Sequence, residues 1–180
     1  LLMAIERKAT REIANYVKLD KRYEAEVFLG ATSDTHDPEG KIIITEDCVE
    51  PKLTEVQKVI EKFIGEQEQI PPMFSAKKVG GKKLYQLARA GKVIERQASI
   101  VNIMDINIVE YKYPKLVLDV HCSSGTYIRT LGSDIGRELG TGAYLTNLRR
   151  TAIDKFLIKN AVLVGDLNQD NWQEKLFLKI

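Results

Sequence analysis

Two strand-forming runs, Ile100 to Tyr111 and Lys115 to Cys122, lie either side of the dipeptide Tyr113-Pro114. A return that tight pairs the two strands antiparallel, with Leu116, Leu118 and Val120 on one face of the second. Upstream, Tyr23, Ala25, Val27 and Leu29 alternate with Glu24, Glu26 and Phe28, the period of a strand with one mainly polar face that Gly30 brings to its exit. Around these strands, helical spacing of Ile5, Ala9, Ile13, Ala14 and Val17 predicts a helix over Ala4 to Lys18. A capping box of Thr54 with Gln57 opens a second helix running to Ile64, closed by Gly65. The loop Thr32 to Gly40 leads to a short strand, Ile42 to Ile44; Pro71-Pro72 breaks the chain; Val79-Gly80-Gly81-Lys82 reads as a tight hairpin turn. A short helix follows from Leu84 to Ala90, another from Tyr127 to Leu139 with Thr126 as N-cap and Gly140 as stop, and a last strand from Leu148 to Phe156. Antiparallel hairpins with intervening helices define an α+β fold and not a βαβ repeat.

At 180 residues and 44% hydrophobic content, the chain is expected to form one domain with a sizeable core. No run approaches the length of a membrane span and no charged-then-apolar leader opens the sequence. Cys48 and Cys122 lack metal-ligand spacing, and His36 and His121 stand singly, so two reduced thiols, a reducing cytoplasm and no metal are expected. Absence of GxGxxG and GxxxxGK[ST] patterns argues against a nucleotide-binding enzyme.

The net charge of +2 conceals an uneven distribution. Between Lys77 and Arg96 seven basic residues (Lys77, Lys78, Lys82, Lys83, Arg89, Lys92, Arg96) face one acid, Glu95, a local charge of +6, while 20 basic and 24 acidic residues elsewhere leave −4. A concentrated positive patch is what phosphate binding needs, although a solvated helix and hairpin face has the same composition. Arg129 falls in the first turn of the predicted Tyr127 helix, where the dipole disfavours a cation, so it is expected to have an acidic partner. Asp134 and Glu138 lie five and nine residues on, away from the favourable spacing of three or four.

Four blocks in order make a resemblance. Lys21-Arg22-Tyr23 with Leu29-Gly30; Thr32-Ser33-Asp34-Thr35-His36-Asp37-Pro38-Glu39-Gly40; Pro71-Pro72-Met73-Phe74-Ser75-Ala76-Lys77-Lys78 continuing through Gly81 and Tyr85 to Ala88-Arg89; and Gly125-Thr126-Tyr127-Ile128-Arg129 with Leu148-Arg149-Arg150. Together they resemble the TruB type of tRNA pseudouridine synthase over most of residues 1 to 165. The resemblance implies a pseudouridine synthase fold, a mainly antiparallel sheet flanked by helices and loops, and isomerisation of the T-loop uridine of tRNA after base flipping. It implies no cofactor and no metal, a T-arm partner and a monomer.

By the same resemblance Tyr23 stacks on the flipped base and assists proton transfer, Arg129 orients a carboxylate, and Asp37, Tyr127 and Leu148 line the uridine pocket. Residue type alone would make Tyr23 a half-buried strand tyrosine, Leu148 a core residue, and Asp34 and Asp37 turn-forming side chains. Lys77, Lys78, Lys82, Lys83, Arg89, Arg96, Arg149 and Arg150 are expected on RNA phosphates, positioning more than specifying, and Ser99 stands where many members carry a further arginine. The family's nucleophilic aspartate lies in a Gly-Thr-Leu-Asp-Pro segment that precedes a run like Leu1-Leu2-Met3-Ala4. The expectation is therefore a catalytic domain, 1–165, incomplete at its N-terminus, with the nucleophile upstream and this chain inactive alone. A tail, 166–180, is too short for a PUA-type domain. The alternative to an enzyme is a non-catalytic tRNA-binding module or tRNA folding chaperone using the same surface.

Overall fold

The long hairpin anticipated around Tyr113-Pro114 is the centre of the molecule. In the computed structural model, which describes Met3, residues 7–168 and Asn171, β7 (Ser99–Lys112) turns through a cis Tyr113-Pro114 bond into β8 (Lys115–Cys122). β1 (Lys21–Leu29) pairs with β8 on one side and with β9 (Ala143–Ile153) on the other. β4 (Gly65–Gln69) and the short β10 (Phe156–Leu157) complete a six-stranded sheet of order β10-β9-β1-β8-β7-β4, antiparallel throughout. Two small hairpins stand outside it: β2 (Ala31–Ser33) with β3 (Ile42–Ile44), and β5 (Lys78–Val79) with β6 (Lys82–Lys83). The fold is α+β, as expected.

One sheet face is dry. Ala25, Val27 and Leu29 of β1 and Leu116, Leu118 and Val120 of β8 are buried beneath α2 (Leu53–Glu61), which contributes Val56, Val59 and Ile60, and α4 (Ile128–Glu138), which contributes Ile128, Leu131 and Ile135. Each such fully buried aliphatic side chain contributes about 1.5–3 kcal/mol relative to exposure. The opposite face carries Arg22, Glu24 and Glu26, with Arg22 Nε on Asp119 Oδ1 at 2.6 Å.

α4 lies unusually close to the sheet edge. A Cβ on Gly136 would sit 2.3 Å from Ala143 Cβ and 2.4 Å from its backbone nitrogen, so only glycine lets the helix reach β9. Gly140, at φ +72°, then ends the helix as anticipated.

Several element boundaries differ from the sequence reading. The predicted Ala4 to Lys18 helix is a 3₁₀ turn over Arg7–Glu12 running into a five-residue α1 (Ile13–Val17), and Ala4 to Glu6 lie outside the described residues. The capping interaction of α2 is Glu55 Oε2 accepting from Lys52 N–H at 2.6 Å, not Thr54 with Gln57. Thr126 does not cap α4, because its hydroxyl bonds back to Ser123 O at 2.9 Å and the N-cap is Tyr127. β9 begins five residues before Leu148, and α3 is Leu84–Arg89. β4 had no counterpart in the sequence reading: Gly65, at φ +100°, turns the chain straight into an edge strand whose GEQEQ sequence carries no apolar alternation. The short tail expected at 166–180 falls largely on residues outside those described.

Candidate active site

The loop between β2 and β3 is wound tightly around Asp37. Thr35 Oγ1–H donates to Asp37 Oδ1 at 2.6 Å, Glu39 N–H donates to the same oxygen at 3.1 Å, and Ser33 Oγ–H donates to the Asp37 carbonyl at 2.6 Å. Asp34 plays the plain turn role, accepting from Lys41 N–H at 2.8 Å. Gly40 closes the loop where a Cβ would lie 2.2 Å from Asp34 Oδ1. The loop is fastened to the sheet by Leu145 N–H donating to His36 O at 3.0 Å.

The remaining Asp37 oxygen, Oδ2, accepts from Arg129 Nη1. Arg129 Nη2 donates to the carbonyl of Phe74 at 2.8 Å, so two elements far apart in sequence fix the plane of one guanidinium. Here is the partner that an arginine in the first turn of α4 requires. Asp134 pairs with Arg137 at 2.8 Å, and Glu138 with Lys62 at 3.1 Å. Burial pushes the Asp37 carboxyl up, but the Thr35 hydroxyl, the Arg129 guanidinium and the Glu39 N–H outweigh it and hold the group below its ordinary 3.8. It is ionised at neutral pH.

The start of α4 is secured without a side-chain cap. Gln69, buried at the end of β4, donates from Nε2 to Tyr127 O at 3.0 Å and accepts from Tyr127 N–H at 2.7 Å, using both ends of one amide to hold the residue before Arg129.

Tyr23 lies on the sheet face that α4 covers, in register with Val120 on one side and Arg150 on the other, and packs against the core cluster. Burial raises its phenol pKa, opposed by a hydrogen bond and positive field from Arg150. The phenol is therefore protonated at neutral pH. Lys21, two residues before it on the same face, is anchored to the carbonyls of Val17 at 2.6 Å and Leu19 at 2.5 Å. Leu148 stands opposite Ala25, also on this face, yet is 42% exposed. It is not a core residue; it offers open apolar surface beside Tyr23 and Arg150.

Arg149 and Arg150, adjacent in sequence, project from opposite faces of β9, opposite Glu24 and Tyr23 respectively. Only Arg150 joins the Tyr23 face. The basic block forms the β5–β6 hairpin and α3. Lys77, Lys78 and Arg96 line an open cleft of about 510 Å³, with Lys77 Nζ on Ser99 Oγ at 2.5 Å and Arg96 Nη1 on Pro71 O at 3.1 Å. Lys83 and Arg89 approach the Tyr85 ring at 5.5 and 5.6 Å. Among the described residues no His, Cys, Asp and Glu group is arranged to hold a metal, and no helix is long and apolar enough to cross a membrane.

Sequence reasoning missed Gln69, Thr35 and the carbonyl of Phe74. Thr35 had a signal, a hydroxyl two residues before an aspartate in a turn-rich loop. Gln69 and Phe74 had none, since both act through contacts some 55 to 58 residues distant.

Comparison with known proteins identifies the family of the chain. Residues 1–128 match the model of the TruB family pseudouridylate synthase (N terminal domain), and residues 129–178 that of the tRNA pseudouridylate synthase B C-terminal domain. The chain is 45% identical to the tRNA pseudouridine synthase B of Chlamydia muridarum, over 90% of this chain and 66% of that protein. It is 41% identical to the same-named protein of Protochlamydia amoebophila, over 90% of this chain and 61% of that one. The chain thus spans about three fifths to two thirds of the length of these relatives. A chain in a crystal structure of a Cbf5-Nop10-Gar1 complex superposes with a TM-score of 0.65 at 24% identity, covering 89% of this chain and 38% of that one, a likeness of fold.

These matches overturn one expectation. The N-terminal model, the aspartate-bearing catalytic domain, is matched from residue 1 to residue 128. The chain therefore carries the catalytic domain, against the expectation that the nucleophile-bearing part lies upstream of it, and the expectation of inactivity, which rested on that reading, has no support. With both models matched in order along its length, the chain belongs to the TruB family of pseudouridylate synthases.

Proposed function

We propose that this protein converts a uridine in the T-arm of tRNA to pseudouridine. In that isomerisation the bond from C1′ to N1 of uracil breaks, a bond from C1′ to C5 forms, C5 loses a proton and N1 gains one, so no redox partner or energy source is needed. The observation that carries the reading is the Arg129 guanidinium fixed between Asp37 and the Phe74 carbonyl, at the start of a helix seated on the Tyr23 face of the sheet.

Each group has a task. Arg129 presents a fixed cation where negative charge on carboxylate or detached base is stabilised. Tyr23 supplies an aromatic face and, with Arg150 at its oxygen partly offsetting the burial that raises its pKa, a phenol that stays protonated beside the base. Asp37, Tyr127 and Leu148 shape the pocket, Leu148 through its exposed apolar surface. Extruding the base costs a few kcal/mol, offset by stacking on Tyr23 and by phosphate contacts from Lys77, Lys78, Lys82, Lys83, Arg89, Arg96, Arg149 and Arg150. Matched relatives named tRNA pseudouridine synthase B support tRNA as substrate. The two unpaired thiols, Cys48 and Cys122, support a reducing cytoplasm as the setting.

Release of tritium from C5 of uridine in an unmodified T-arm stem-loop tests the reading. Turnover by the chain, lost in Arg129→Ala and in Tyr23→Ala, is expected. RNA that is bound but never converted would identify a tRNA-binding module instead.

A further inference from the structure

Gln69 ends an edge strand on the face of the sheet that the core occupies, where an apolar side chain is the ordinary choice. It stands in register with Ser99 of β7, one pair beyond Glu68 and Ile100, and is 4% exposed. Its amide grips the backbone of a residue 58 positions away, donating to Tyr127 O at 3.0 Å and accepting from Tyr127 N–H at 2.7 Å. That N–H and that carbonyl belong to different peptide planes. Holding both with one rigid amide therefore fixes φ and ψ of Tyr127, at −95° and 103°.

The residue so gripped is the entrance to α4. Upstream, the chain is tied to β7 at Ser123, whose N–H donates to Asn102 O at 2.8 Å and whose Oγ accepts from Asn102 N–H at 2.9 Å. Between that tie and Tyr127 lies Gly125, at φ +87° with open space around it. Gln69 performs from another strand the task that a capping-box side chain performs within a helix. The same strand end also leads to the second anchor of Arg129. From Gln69 the chain runs through the buried Pro71 and Pro72, whose rings restrict the backbone, to Phe74, whose carbonyl accepts from Arg129 Nη2 at 2.8 Å. Arg96 Nη1, on Pro71 O at 3.1 Å, steadies that stretch. The result is a closed ring: amide of Gln69 to Tyr127, first turn of α4 to Arg129, guanidinium to Phe74, backbone to Gln69.

We propose, on the reading that the pocket of Asp37, Arg129 and Tyr23 is the uridine site, that Gln69 is a positioning residue: its amide holds the Tyr127 backbone so that the Arg129 guanidinium meets Asp37 and the Phe74 carbonyl in one fixed place. Loss of the amide displaces the guanidinium and removes none of the basic groups that attract the RNA. Turnover should therefore suffer more than affinity.

Two variants test this in the full chain. Gln69→Met fills similar space and deletes both bonds. Gln69→Glu reports on them: as a carboxylate it still accepts from Tyr127 N–H but sets an oxygen against Tyr127 O, and as a carboxylic acid it donates there as the amide does. Buried against a carbonyl, that carboxyl should keep its proton well above the ordinary glutamate value of about 4.3. Tritium release from an unmodified T-arm stem-loop, by variants shown to be folded by circular dichroism, should give Gln69→Met a kcat lower on the order of tenfold or more, with KM within about twofold of wild type. Relative to wild type, the kcat of Gln69→Glu should rise as pH falls from 8 to 5.5, while the ratio for Gln69→Met stays flat. A wild-type kcat in Gln69→Met, a loss confined to KM, or a Gln69→Glu that tracks Gln69→Met at every pH overturns the proposal. If Gln69→Met does not fold, Gln69→Glu decides alone, a deficit constant across pH being the contrary result. If wild type converts no uridine, the uridine-site reading fails and nitrogen-15 NMR of Arg129 decides the bracing: its Nη resonances, separate in wild type because each nitrogen has its own partner, should average in Gln69→Met, and unchanged resonances overturn it.

Discussion

The Asp37–Arg129 corner and the basic hairpin are both charged, and they are built in opposite ways. At the corner one carboxylate with 16% of its side chain exposed and one guanidinium with 25% exposed are held by each other, by Thr35 and Glu39 of the loop, and by the Phe74 carbonyl. In the hairpin, Lys78 and Lys82 flank a Gly80-Gly81 turn with open space around both glycines. A pre-set cation can discriminate the group it meets; exposed lysines at a bare turn can follow a phosphate chain of any sequence. On the proposed function the two regions divide the task, the corner recognising the uridine and the hairpin supplying sequence-independent attraction.

The largest expected effect comes from breaking the corner. Arg129→Ala leaves a poorly exposed carboxylate without its cation, so unfolding free energy in urea should drop by about 2–3 kcal/mol and tritium release by about 10²-fold or more. Second is a change that touches no functional group. Gly136→Ala forces α4 off Ala143 and should cost about 1–3 kcal/mol by the same urea assay. The same substitution at Gly80 meets only its left-handed backbone, at φ +57°, and should cost about 1 kcal/mol or less. Equal losses at the two glycines would erase the distinction between a seated helix and a free turn.

Acid should separate the regions further. Asp37 has a lowered folded pKa, so its contribution to stability is complete above its unfolded value near 3.8 and is lost as pH falls through the lower folded value. His36, also lowered, contributes fully above its unfolded value of 6.5 and less as pH falls through its folded pKa. In Asp37→Asn the lower step should vanish from a stability profile measured by thermal unfolding, while the His36 step shifts down, a carboxylate that favours the charged ring having been removed. The smallest effect on the fold belongs to the hairpin. Lys82→Glu with Lys83→Glu should leave stability within about 0.5 kcal/mol.

Legibility in the sequence follows the same division. Alternation along β1, β7 and β8 is a local signal, and the hairpin of Gly80-Gly81 announces itself through turn chemistry, so both were readable from neighbouring residues. Arg129 was readable as a cation in search of a partner, but its partner lies 92 positions away and emerges only when the loop after β2 is folded onto α4. β4 escaped because a polar edge strand has no hydrophobic period, and Gln69, which sits at its end, escaped with it. The bulges that shift the register of β1 against β9 are equally silent in sequence, although they set Arg150, and not Thr151, opposite Tyr23.

A paired salt titration tests the division of labour most directly. Binding of T-arm stem-loops bearing uridine or cytidine at the target position is followed from low to moderate salt for wild type, Arg129→Lys, and Lys82→Glu with Lys83→Glu. The hairpin variant is expected to lose affinity equally for both RNAs, with the log–log salt slope shallower by about one for each phosphate contact removed. Arg129→Lys is expected to keep the wild-type slope and lose its preference for uridine. A hairpin variant that loses discrimination, or an Arg129→Lys that changes only the salt slope, would contradict the assignment of recognition to the corner and attraction to the hairpin.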